Sequence, residues 1–117
     1  MNKLILLFSA LALGTLPAGA HAFLDHAEPR VGSTVAAPSQ VKIWFTEELE
    51  GAFSTIQVFD ASGKEVASGQ TKVDPAHKTI MTVALPHLPP GEYKVKWSAV
   101  ATDTHHTAGT FGFKIAP

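Results

Sequence analysis

The chain has no cysteine in 117 residues. No disulfide can brace it, and no thiolate can hold a metal. Methionine is nearly absent as well. Met1 opens the chain, and Met81 lies in the apolar run "TIMTVAL" (residues 79–85), where a core position is expected. One thioether does not make a soft metal site. Positive charge is not in excess: nine Lys and Arg stand against ten Asp and Glu, a formal net charge of −1. With no basic patch, nucleic acid is not an expected partner. There is no internal repeat, no low-complexity segment and no convincing helical stripe beyond the start of the chain. The one long apolar run, residues 4–13, is too short to span a bilayer.

That run has another meaning. Residues 1–20, "MNKLILLFSALALGTLPAGA", begin with a positive Lys3, continue apolar, and break at Pro17 before small residues. This is the pattern of a secretory signal peptide. Removing it leaves residues 21–117, a length suited to one domain with one modest core. The mature protein is expected to be exported and soluble. Two cleavage positions fit the small-x-small rule: after Ala18-Gly19-Ala20, or after Ala20-His21-Ala22. The first makes His21 the new N-terminus and the second discards it.

Period-two alternation marks the strands. "VKIWFTEEL" (41–49) puts Val41, Ile43 and Phe45 on one face. "STIQVFD" (54–60) sets Ile56 and Val58 opposite Gln57 and Phe59. "YKVKWSAVAT" (93–102) alternates Tyr93, Val95 and Trp97 with Lys94 and Lys96. "GTFGFKI" (109–115) repeats the pattern with Phe111, Phe113 and Ile115. Between them "DASGKE" (60–65) and "HLPPGE" (87–92) read as turns, and "EPRVGSTVAAPS" (28–39) as a long crossing loop. Short strands with turn signals between them predict an all-β sandwich or barrel.

The residues that bear chemistry gather in "DTHHT" (103–107). Asp103 and His105 are two apart. In an extended chain both point to one side, and His106 to the other. A carboxylate and an imidazole that converge make half of a metal site. A polar turn closed by Asp and Thr fits the same letters. The motif alone leaves both readings open.

A chain that begins at His21 adds two nitrogens from one residue, the α-amine and imidazole Nδ1, which can close a chelate ring. A free amine has a pKa near ~8, so a metal displaces its proton at neutral pH. With the His105 imidazole and oxygen from Asp103, the set is rich in nitrogen and free of sulfur. Such a set favours Cu(II). The alternative for His21 is a frayed terminal residue. "FTEELE" (45–50) offers Glu47 near the end of a strand, where it can lean toward the same edge. A solvated acidic loop is the commoner role of such a run.

Together these pieces resemble the CopC-type copper-resistance proteins of the bacterial periplasm. The matching stretches are "HAFLDHAEPRVGS" (21–33), "FTEEL" (45–49) and "PPGEYKVKWSAVATDTHHTAGTFGFKI" (89–115). The resemblance covers nearly all of residues 21–115. Its most specific part is Pro-Gly-x-Tyr-x-Val-x-Trp followed by Asp-x-His. It implies an Ig-like Greek-key β-sandwich or barrel of about seven strands. It also implies one Cu(II) per chain, held at one end by His21, Glu47, Asp103 and His105. Glu47 rather than Glu48 matches, because it follows Phe45-Thr46 directly. The implied role is a periplasmic carrier or buffer, a monomer that works beside an inner-membrane copper-transport protein. Some relatives carry a Met-rich Cu(I) segment, which this chain lacks. The pattern does not require His26 or His106, and His77 and His87 are expected to be solvated.

Two other functions compete. An N-terminal His with a second His also describes the histidine brace of oxidative copper enzymes, although Asp103 and Glu47 would crowd the positions that an oxygen species needs. Cleavage after Ala22 would instead leave a metal-free sandwich module for protein interaction.

Overall fold

The computed structural model describes residues 22–117. The expected signal peptide and His21 lie outside the described residues. Eight strands follow in order: β1 (Leu24–Glu28), β2 (Thr34–Val35), β3 (Gln40–Phe45), β4 (Thr55–Asp60), β5 (Ser68–Val73), β6 (Ile80–Ala84), β7 (Gly91–Val100) and β8 (His106–Ile115). One turn of 3-10 helix, Gly51–Phe53, precedes β4.

The strands form two four-stranded sheets, ordered β1-β3-β6-β5 and β2-β8-β7-β4. All neighbours are antiparallel except β2 and β8. The chain changes sheet at every connection except the β5–β6 and β7–β8 hairpins. β3 lies beside β6 although the chain continues to β4, which is the Greek-key manner of return. The fold is the expected β-sandwich, with eight strands because the 28–39 loop contributes the short β2.

Alternation explains how the sheets meet. Val41, Ile43 and Phe45 of β3 are buried, with Met81 and Val83 of β6 beside them. Facing them are Ile56 and Val58 of β4, Tyr93, Val95 and Trp97 of β7, and Phe111, Phe113 and Ile115 of β8. Met81 is fully buried, as expected of a core methionine.

Two expected strands have different ends. β3 stops at Phe45 rather than running to residue 49, because the backbone of 48–50 turns away to bond with the end of β7. β8 starts at His106, earlier than expected, because its ladder with β7 extends to Val100↔His106. The "DTHHT" segment is therefore divided, its first half in a turn and its second half in β8.

Candidate metal centre

Residues 101–105 reverse the chain between β7 and β8. The Thr104 N–H donates to the Ala101 carbonyl at 2.8 Å, and the Ala101 N–H donates to the His105 carbonyl at 2.9 Å. Thr104 has φ +75°, the left-handed region. That region disfavours a β-branched residue.

The reversal brings Asp103 and His105 together. Asp103 Oδ1 accepts the His105 N–H at 3.2 Å, and Oδ2 lies 3.1 Å from His105 Nδ1. The chain is not extended here, so the side chains converge by a turn and not by strand parity. The polar-turn and half-site readings thus describe the same residues. An exposed ion pair contributes at most about 1 kcal/mol. A residue in a sparsely populated backbone region costs on the order of 1–3 kcal/mol. The hydrogen bonds of the turn offset part of that cost, and strain of this kind concentrates at working sites.

The loop after β3 packs against the turn through its backbone. The Thr102 N–H donates to the Glu48 carbonyl at 3.1 Å, and the Glu50 N–H to the Val100 carbonyl at 2.8 Å. Ser54, 2% exposed, accepts the Val100 N–H at 3.0 Å and donates to the Glu50 carbonyl at 2.9 Å. Glu47 is half-buried in this loop, and Glu48 is exposed.

The start of the described chain arrives at the same end. Ala22 is 0% exposed and belongs to the core. Its carbonyl accepts a hydrogen bond from the Thr107 hydroxyl. The next residue, Phe23, exchanges two bonds with Thr46. Its N–H donates to Thr46 Oγ1 at 3.0 Å, and its carbonyl accepts the Thr46 N–H at 2.9 Å. Three distant segments, 22–23, 46–50 and 101–107, therefore meet at one end of the sandwich.

Asp103 and His105 are brought together as expected. Glu47 shares their end of the fold, and His21 lies outside the described residues. Among the described residues no group of three or more His, Cys, Asp or Glu forms a metal-holding cluster. Sequence reasoning missed Ala22, Thr46, Ser54 and Thr107. The parity of β8 was one available signal, because Thr107 shares the core-facing side with Phe111, Phe113 and Ile115.

The other histidines are engaged elsewhere or exposed. His106 starts β8 on its outer face, with Nε2 2.7 Å from the Ser98 hydroxyl. His26 stacks on Trp44, ring centroids 4.2 Å apart, and its Nδ1 lies 2.9 Å from Asp25 Oδ2. His77 and His87 are exposed in loops.

Comparison with known proteins decides the family. A sequence model of the CopC domain matches residues 24–116. The chain belongs to the CopC family. This CopC-family chain is 32% identical over 122 aligned positions to Copper resistance protein C of Escherichia coli, covering 98% of this chain and 97% of that one. It is 36% identical to the Copper transport protein CutJ of Bacillus subtilis over 82% of this chain, but spans only 18% of that protein's length. Among solved structures it resembles CopC from Methylosinus trichosporium OB3b, with a TM-score of 0.75 and 34% identity, over 83% of this chain and 95% of that one.

Proposed function

We propose that this CopC-family protein is an exported copper carrier or buffer that holds one Cu(II) where the three segments meet. The observation that carries the reading is the Asp103–His105 pair, set in a turn whose neighbour Thr107 bonds to the residue after His21. The proposed ligands are the His21 amine and imidazole, the His105 imidazole, and carboxylate oxygen from Asp103 and Glu47. Nδ1 of His105 faces the Asp103 carboxylate, a contact that joint binding of the ion by Asp103 and His105 would replace. The only mature methionine is buried in the core, so sulfur is not among the donors and Cu(II) is favoured over Cu(I).

The relatives are named for copper resistance and copper transport, and carrying copper is not catalysis. A ligand set that fills the coordination square suits binding and handover. The burial of Ala22 supports a domain of residues 21–117 released by cleavage after Ala20. Cleavage after Ala22 would remove a core side chain and the acceptor of Thr107. The signal pattern and the family resemblance support a periplasmic location. The inner-membrane transport partner draws support from the match to one segment of a longer copper transport protein. The protein is proposed to act as a monomer.

The test is a competition titration with a Cu(II) chelator at fixed pH, since ligand deprotonation is linked to binding. His105→Ala, and an acetylated or tagged His21 amine, are expected to weaken binding most. Asp103→Ala and Glu47→Ala are expected to weaken it less, and His77→Ala and His87→Ala to leave it unchanged. Affinity that survives amine blocking but falls in His77→Ala would locate the metal elsewhere.

A further inference from the structure

The two residues that follow the chain end required by the copper reading are tied down by two threonines that are not proposed ligands. Ala22 is fully buried, and the Thr107 hydroxyl donates to its carbonyl. Phe23 is tied by both its N–H and its carbonyl to Thr46. Consecutive Cα atoms are about 3.8 Å apart across a trans peptide, so a held Ala22 fixes the point from which the chain continues to His21. Thr107 is two residues beyond His105, and Thr46 is next to Glu47. Each threonine therefore joins the N-terminal segment to a stretch that carries a proposed ligand.

From this arrangement we infer that Thr107, with Thr46, positions the His21 chelate against His105. The inference rests on the copper reading above. Its physical content is preorganisation. A terminal residue is normally frayed, and ordering its backbone at the moment of binding costs free energy that weakens affinity. A backbone already held by Thr107 and Thr46 avoids most of that cost. Outer groups that orient ligands are typically worth on the order of 10- to 100-fold in metal affinity.

Thr107→Val keeps the shape of the side chain and removes the donor, whereas Thr107→Ser keeps the donor. Three measurements on the mature protein separate positioning from plain stability: Cu(II) affinity by chelator competition, the Cu(II) electron paramagnetic resonance spectrum, and amide hydrogen exchange of Phe23 and Leu24 in the apo protein. Thr107→Val is expected to bind Cu(II) about tenfold more weakly. Its spectrum should shift toward that of amine-blocked protein, and its Phe23 and Leu24 amides should exchange faster. Thr107→Ser is expected to match the unsubstituted protein in all three.

A Thr107→Val protein with lower melting temperature but unchanged affinity and spectrum would overturn the positioning role and leave the copper site standing. Equal weakening in Thr107→Val and Thr107→Ser would overturn it too, because the hydroxyl would not be the agent. Unsubstituted protein whose Cu(II) spectrum ignores acetylation of the amine would overturn the copper reading and the positioning role together.

Discussion

Trp97 shows how closely single residues are fitted near the proposed site. It is buried on β7 and meets Phe45 edge to face, ring centroids 5.1 Å apart. Opposite it on β8 stands Gly109, and a Cβ there would lie 2.7 Å from Trp97 Cζ2. The indole occupies the space that any other residue would fill. Gly109→Ala is therefore expected to lower stability by about 1–3 kcal/mol through overpacking. The urea midpoint measures it, and the emission of Trp97 should shift as the ring is displaced. An unchanged midpoint would mean that the ring moves aside without loss.

At the scale of elements, two turns away from the proposed ligands contribute acid sensitivity. Asp60, at the end of β4, accepts from the Ser62 hydroxyl at 2.7 Å, the Ser62 N–H at 2.9 Å and the Lys64 N–H at 3.0 Å. The Ser62 hydroxyl foremost holds its carboxyl below the ordinary 3.8. Asp74 accepts the Ala76 N–H at 2.8 Å and the His77 N–H at 3.2 Å, and the Ala76 bond foremost lowers it likewise. A carboxyl depressed in the folded state adds stability that is complete above its unfolded pKa and is lost as pH falls through the folded one. Stability should therefore drop as pH falls below about 4. Asp60→Asn and Asp74→Asn should each flatten that drop. Urea midpoints measured against pH provide the check, and a drop of the same depth in both variants would contradict it.

The same scale shows what was legible in the sequence. β3, β4, β6, β7 and β8 were readable because each buries alternate apolar side chains. β1, β2 and β5 were not. Every residue of "SGQTKV" in β5 is exposed or half-buried, so its pairing with β6 leaves no apolar stripe to read. The chemistry of Asp103 and His105 was legible from residue type and spacing. The turn that joins them was not, because a threonine in the left-handed region has no sequence signal. The contacts at Ala22 and Thr46 were equally hidden, since they depend on which distant segments the topology brings together.

For the whole molecule, the two sheets supply a continuous core of side chains from β3, β4, β6, β7 and β8 without any metal. The apo protein is expected to be folded, with a cooperative thermal transition and the circular dichroism of a β-protein. Cu(II) should raise the transition by mass action, about 2.7 kcal/mol when free copper is 100 times the Kd. Scanning calorimetry with and without copper tests this. A chain with no transition until copper is added would contradict it.

The bond between Thr107 and Ala22 joins positions 85 apart. A chain made N-terminus first completes the Ala22 side of that contact early and the Thr107 side near the end. The bond closes only once β8 has paired with β7, so the end of the sandwich where the three segments meet is among the last parts of the molecule to be finished. Under the copper reading proposed above, loading of the ion waits for that finished molecule.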